Sequence, residues 1–272
     1  MAPIRLVATD LDGTLLRSDR TISERTAAAM AALRAAGIEL VWATARARHS
    51  VHEFALASGF RGKAICANGA VLMDLADGSP RVLRTVEIPA DAAREALAWL
   101  RTLRPGVVFA AVGSSTFVAE PGYAELCVFT DHHREPATIQ RSDDPVGGTD
   151  PIVKIVARHP EIAGVDLYRA AHATGFDGLG LTHSGAPYME LAPAGVTKAS
   201  VLAALCADAG LDRADVAAIG DAINDAPMLA WAGTALCPAQ AAPEVHAIAH
   251  RVLDANDEDG VAAYLEELAG SG

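Results

Sequence analysis

The chain opens on a short apolar-rich run, Ile4-Arg5-Leu6-Val7-Ala8-Thr9, that stops at Asp10, the pattern of a buried strand feeding a polar loop. Thr21 and Glu24 stand at capping-box spacing ahead of an alanine-rich stretch, and Gly37 supplies a stop, so a helix is predicted over 22–36. Ile38 to Ala43 reads as a second strand ending at Thr44, 46–58 as a second helix, and Lys63 to Cys66 as a third strand. This βαβαβ alternation implies a parallel sheet.

After Asn68 the rhythm changes. Two short apolar arms, Val71 to Met73 and Val82 to Arg84, flank Asp77-Gly78 and suggest a hairpin on which the chain leaves the sheet. A helix over 89–103, strands over 107–112 and 116–119, a Pro/Gly/Asp-rich loop over 135–151, strand 152–157, helix 160–174 and strand 179–182 make a mixed unit. From Tyr188 the alternation returns: strands over 188–191, 216–219, 234–236 and 251–253 and helices over 197–209, 224–231, 240–249 and 259–268 can complete the first sheet. The expected fold is α/β, a Rossmann-like doubly wound parallel sheet formed by residues 1–84 and 186–272, with residues 85–185 as an inserted α+β domain.

The chemistry gathers at strand ends. Asp10 and Asp12, in Asp10-Leu11-Asp12-Gly13-Thr14, are two residues apart just past a strand, where a period of two aims both the same way. Two like charges in one pocket need a cation or a shared proton, the conditions for a metal ligand beside an acid/base group. Asp-x-Asp-Gly alone also suits a calcium loop. A second acidic cluster, Gly220-Asp221-Ala222-Ile223-Asn224-Asp225, follows the run 216–219, again at a strand's C-terminal end, where open α/β sheets bind ligands. If the two strands are neighbours, Asp10, Asp12, Asp221 and Asp225 converge on an oxygen-rich site that suits magnesium rather than zinc. Lys198 opens a helix in Gly195-Val196-Thr197-Lys198, and Thr44 precedes Arg46. Together these offer a hydroxyl, helix-start amides and fixed positive charge, the means of holding a phosphoryl group.

Composition narrows the partners. The 272 residues, 51% hydrophobic and 21% charged, suffice for a sizeable core, and at ~150 residues per domain they allow one large domain or two modest ones. Lys plus Arg number 22 against 34 Asp plus Glu, so the net charge is 22 − 34 = −12, with no basic cluster to attract nucleic acid or an anionic membrane. An anionic small substrate would be repelled too, so its site must bring cations. Cys66, Cys127, Cys206 and Cys237 form no Cys-x-x-Cys pair, and no apolar run approaches the ~18 residues of a membrane span, so a cytoplasmic protein is expected. His132, His133 and His183 fit no metal-ligand pattern and read as surface or core residues, and His49 and His52 as surface residues.

Five stretches, "DLDGTLL" at 10–16, "ATAR" at 43–46, "ANGA" at 67–70, "GVTK" at 195–198 and "GDAINDAPML" at 220–229, together resemble the haloacid dehalogenase-like phosphohydrolases. The likeness is to the Cof-type branch, which carries a large αβ cap after the third strand, and it covers nearly the whole chain. The resemblance implies a magnesium-dependent phosphatase acting on a small phosphorylated metabolite, a sugar phosphate or phosphorylated cofactor, as a monomer or homodimer. It implies Asp10 as nucleophile and metal ligand and Asp12 as general acid/base, with the Asp12 carbonyl and Asp221 on magnesium and Asp225 reaching it directly or through water. It implies Leu11, Thr44, Ala45, Lys198 and Asn224 around the phosphate, and Arg46, Asn68 and Gly69 toward substrate. Where the family usually has Thr-Gly-Arg this chain has Thr44-Ala45-Arg46, harmless unless that position needs a positive φ. A sugar phosphomutase and a non-hydrolytic phosphometabolite-binding protein are the alternatives. The intact Asp10, Asp12, Lys198 and Asp221 argue against the latter. A dehydrogenase is disfavoured because no Gly-x-Gly-x-x-Gly follows the first strand.

Overall fold

The computed structural model describes residues 3–113, 116–132, 135–149 and 151–271; His133 lies outside them. The chain divides into two compact units, Met1–Arg84 with Thr197–Gly272, and Thr85–Val196. Among the described residues no helix is long and apolar enough to cross a membrane.

The first unit begins with β1 (Leu6–Thr9), α1 (Glu24–Ala35), β2 (Glu39–Ala43), α2 (Arg48–Ser58), β3 (Lys63–Cys66), β4 (Val71–Asp74) and β5 (Arg81–Thr85). The second contains α3 (Ala90–Leu103), β6 (Val108–Gly113), β7 (Phe117–Ala119), α4 (Pro121–Leu126), α5 (Phe129–His132), β8 (Gln140–Arg141), β9 (Ile152–Arg158), α6 (Gly164–Thr174), β10 (Leu179–Thr182) and β11 (Met189–Pro193). The first unit resumes with α7 (Lys198–Asp208), β12 (Val216–Ile219), α8 (Ala226–Trp231), β13 (Thr234–Pro238), α9 (Pro243–His246), β14 (Arg251–Leu253) and α10 (Gly260–Gly270).

The first sheet has the order β14-β13-β12-β1-β2-β3-β4-β5. Its run from β14 to β3 is parallel, and β4 joins β3 antiparallel. The central strand β1 is buried throughout, as a parallel strand covered on both faces must be. Leu6 and Ala8 enter an apolar cluster with Val201 and Leu202 of α7 and Met228 and Leu229 of α8, so Val7, equally buried, packs on the opposite face. The order reverses at β1: the chain proceeds first to β2 on one side and later returns to β12 on the other. This is the switch point at which such sheets open a crevice.

Local signals explain most boundaries, with corrections. α1 is capped not by Thr21 but by Ser23, whose hydroxyl accepts from the Thr26 amide at 3.0 Å, and Gly37 with φ +77° ends it. The expected hairpin does not leave the sheet, because β4 and β5 extend its edge beside β3.

The second unit is a six-stranded sheet of order β10-β11-β9-β6-β7-β8, antiparallel except for β7 against β8. One face carries Ile155, Ala157 and Leu191 into a cluster with Leu97 and Leu100 of α3 and Leu167 of α6. The strand expected over 188–191 in the first sheet is β11 of this one, so the first unit resumes at Thr197 rather than 186. The physical reason is the short turn after β10, where His183 accepts from the Gly185 amide at 3.2 Å. So tight a turn leaves β11 only an antiparallel neighbour.

Candidate active site

Register brings the acidic motifs together. Thr9 is level with Ile219 of β12 and with Trp42 of β2, and Ala43 with Ile65 of β3. Asp10, Thr44, Ala67-Asn68 and Gly220-Asp221 therefore leave neighbouring strands at one sheet end. The Asp10 amide donates to the Ile219 carbonyl at 2.9 Å.

Lys198 is the first residue of α7 because Thr197 caps that helix: its hydroxyl accepts from the Ser200 amide at 3.0 Å while Ser200 Oγ accepts from the Thr197 amide at 2.9 Å. The lysine is 1% exposed, and its Nζ donates to Asp10 Oδ1 at 2.6 Å and to Asp225 Oδ1 at 2.7 Å. The other Asp225 oxygen accepts from the amides of Asp221 and Ala222, each at 3.1 Å, so this carboxylate ties Lys198 to the β12 turn. Asp10, Asp221 and Asp225 each place one oxygen within 4.8 Å of the others'.

Asp12 departs from the expected shared pocket. Its carboxylate lies outside this cluster and accepts from Arg46 Nε at 2.6 Å and Nη2 at 2.5 Å. Tight-turn geometry is the reason: Gly13 with φ +71° bends the chain after Asp12, so the period-two rule of a strand no longer holds. Arg46 is thereby spent on a carboxylate, where the family resemblance pointed it toward substrate. Thr44 is buried, and its hydroxyl accepts from the Arg46 amide at 3.1 Å. Leu11 and Gly69 are buried and Ala45 is half-buried. Among the described residues only Arg20, Ala67, Asn68 and Asp259 are non-glycines with positive φ, so Ala45 occupies the place of the usual glycine without backbone strain. Asn224 donates from Nδ2 to Asn68 Oδ1 at 3.0 Å, leaving Asn68 Nδ2 and Asn224 Oδ1 buried without a partner among the described residues. The backbone of Ala67 and Asn68 is held in the left-handed region, a strained arrangement typical of functional loops. His52 is half-buried rather than on the surface, and His183 is buried.

The electrostatics call for a cation. Burial pushes Asp10 well above the usual carboxylate range, with Lys198 opposing and Asp225, Asp221 and Asp12 reinforcing the rise. Burial and the neighbouring Asp225 push Asp221 up to about 7. Lys198 loses charge stability by burial, yet Asp10 and Asp225 raise its pKa overall. With all four ionised, the carboxylates Asp10, Asp12, Asp221 and Asp225 against two cations, Lys198 and Arg46, leave two negative charges, the balance one divalent ion would supply. The donors are all oxygen, which fits a hard cation such as magnesium.

A family profile described as haloacid dehalogenase-like hydrolase matches residues 7–265. The chain is a haloacid dehalogenase-like hydrolase of the Cof type. It is 29% identical over 265 residues to a phosphoglycolate phosphatase of Methanopyrus kandleri, covering 97% of this chain and 96% of the relative. It is 28% identical to phosphatase YwpJ of Bacillus subtilis, covering 97% and 100%. The SMU.1108c structure from Streptococcus mutans superposes with a TM-score of 0.84 at 20% identity, over 98% of this chain and 99% of that one. Membership and phosphatase relatives make the protein a phosphoric monoester hydrolase.

Three positions that shape the acidic cluster escaped the sequence reading. Thr14 donates to Asp221 Oδ1 at 2.8 Å, orienting that carboxylate. Gly13 makes room for it, since a Cβ there would stand 2.5 Å from Asp221 Oδ2. Gly220 does the same for Asp225, with a Cβ 2.5 Å from its Cβ. The signal was present, as both glycines adjoin the acidic motifs, but the clash depends on spatial neighbours. Gly13→Ala combines a backbone cost of about 1 kcal/mol with displacement of Asp221. Calorimetry is expected to find magnesium affinity at least about tenfold weaker, a ligand-orientation effect; unchanged affinity would contradict the placement of Asp221.

The raised pKa of Asp221 has a thermodynamic sign. Folded, it keeps its proton up to about pH 7, against 3.8 when unperturbed, so between these values the folded state binds more protons and stability falls as pH rises. A divalent ion held by Asp10, Asp221 and Asp225 would take the proton's place. Chelated protein is expected to lose on the order of a few kcal/mol across that window. Added magnesium is expected to raise the melting temperature more at pH 8 than at pH 5; equal shifts would count against the cluster as a cation site.

Proposed function

We propose that this hydrolase cleaves a small phosphate monoester with magnesium, by way of a phosphoryl group carried on Asp10. The observation that carries the reading is the buried Lys198 ammonium bridging Asp10 and Asp225 beside Asp221, at the switch point of the sheet. Asp10, Asp221 and the Asp12 carbonyl are the residues to hold magnesium, with Asp225 direct or through water. When bound, the ion neutralises the phosphoryl oxygens and polarises phosphorus. The rest is done by side chains and amides. One Asp10 oxygen attacks phosphorus while Lys198 offsets its charge, so an anion can approach an anion. Thr44 and Asn224, with the amides of Leu11 and Ala45, hold the phosphoryl oxygens. Because the Asn224 amide nitrogen is engaged by Asn68, the unpartnered Asn68 Nδ2 is an added donor. Asp12 protonates the departing alcohol, then takes a proton from the water that frees phosphate and restores Asp10.

The inserted unit is proposed as the cap that selects the leaving group, with Asn68 and Gly69 as candidate substrate residues, Arg46 being engaged by Asp12. A sugar phosphate or phosphorylated cofactor is the proposed substrate, and four free, buried cysteines support a cytoplasmic setting. The test is phosphate release with and without magnesium across p-nitrophenyl phosphate, phosphoglycolate and sugar, cofactor and nucleotide monophosphates. Magnesium-dependent release from at least one metabolite is expected; none from any ester, by a folded protein, would overturn the proposal.

A further inference from the structure

We infer that Arg46 is a positioning residue that holds Asp12 as the proton acceptor for water, rather than a contact to substrate; this rests on the hydrolytic reading above. The guanidinium is fixed before it meets Asp12. Its backbone is pinned on both sides, the amide donating to Thr44 Oγ1 at 3.1 Å and the carbonyl accepting from the Ala67 amide at 2.8 Å. Nη1 donates to Ser50 Oγ at 3.0 Å, and the guanidinium carbon lies 4.7 Å from the Phe54 ring centroid. Ser50 and Phe54 are one turn apart on α2, so a single helix face makes the shelf.

Asp12 is the dependent partner. Its side chain is 42% exposed against 10% for Arg46, and among the described residues its carboxylate has no other hydrogen-bond partner. The Nε and Nη2 donors form a planar fork that sets both the position and the plane of the carboxylate. A lysine point charge could not do this. Both Asp12 oxygens accept from Arg46, and each keeps a second lone pair with which to accept a further hydrogen bond. In the second half-reaction a water oxygen bonds to phosphorus, one water proton passes to an Asp12 oxygen, and the Asp10–phosphorus bond breaks to leave phosphate and the free Asp10 carboxylate. Misplacing the acceptor by about 1 Å can cost up to about a hundredfold. The same guanidinium does nothing to help Asp12 donate a proton in the first half, so an ester whose leaving group needs none isolates its effect.

The experiment is rapid-mixing and steady-state kinetics with p-nitrophenyl phosphate on wild type, Arg46→Met, Arg46→Lys, Asp12→Asn and the Arg46→Met/Asp12→Asn double variant. In Arg46→Met the steady-state rate is expected to fall about ten- to hundredfold, while a burst of about one p-nitrophenolate per chain persists at a rate within about threefold of the wild-type first turnover. Arg46→Lys is expected between the two. In the Asp12→Asn background, Arg46→Met is expected to add less than about twofold, because its partner is already gone. A burst slowed as much as the steady state, or losses that multiply in the double variant, would overturn the inference in favour of a substrate contact. If Arg46→Met does not fold, Ser50→Ala, which only loosens the shelf, is expected to give the same burst with a smaller loss; no burst there overturns the inference equally. Wild-type protein that turns over no ester would overturn the hydrolytic reading, and this role with it. Turnover in wild type with an unchanged Arg46→Met overturns the role alone.

Discussion

Asp10→Asn is expected to lower turnover by at least about 10⁴-fold while leaving the melting temperature equal to or above that of wild type. The loss in rate follows from removing the carboxylate proposed as nucleophile, which Lys198 holds at the end of β1, and isolated removal of a nucleophile commonly costs as much as removing the whole catalytic set. The stability follows from electrostatics. Burial holds Asp10 well above the usual carboxylate range, so its charge is a cost to the fold, increased by Asp225, Asp221 and Asp12. The amide removes that cost, and Lys198 keeps Asp225 at 2.7 Å. Phosphate release and a thermal melt on the same preparation check both halves. Turnover within about tenfold of wild type would contradict the assignment.

Lys198→Met is expected to differ in stability, which falls along with activity. The ammonium lies between two carboxylates that are themselves buried, and removing one partner of a buried pair leaves uncompensated charge, at a cost of about 3–5 kcal/mol. Chemical denaturation without metal is expected to show this loss. Lys198→Met/Asp225→Asn should recover part of it, since one stranded charge is gone, yet remain inactive because nothing offsets the charge of Asp10 against the phosphoryl group. Magnesium should restore some stability to the single variant by replacing a cation with a cation. A Lys198→Met protein as stable as wild type in chelator would mean that the bridge contributes little.

What could be read along the chain, and what could not, divides by dimension. The parallel alternation and the acidic strand ends are one-dimensional patterns: a strand buried on both faces must be continuously apolar, and the first carboxylate after it must sit at the sheet's end. Asp10 and Asp221 were therefore legible, and Lys198 from its place at the start of a helix. The partner of β11 was not, because an apolar run of its length suits either sheet, and only the tight turn at His183 decides between them. The edge strands β4 and β5 failed for a similar reason, since a hairpin pattern does not say which edge it joins. Arg46 and Asp12 meet across 34 positions, and Asn68 and Asn224 across 156, pairings that exist only once β1, β2, β3 and β12 are side by side. The alanine at 45 needed a backbone angle, which residue identity alone cannot supply.

Trapping the covalent intermediate tests the central claim most directly. Magnesium-loaded protein is mixed with a radiolabelled phosphate ester, quenched in acid within a single turnover, and the labelled peptide identified. The account predicts label on Asp10, lability to hydroxylamine as for an acyl phosphate, and none in Asp10→Asn. Rapid phosphate release with no protein-bound label at any time, or label on another residue, would contradict it.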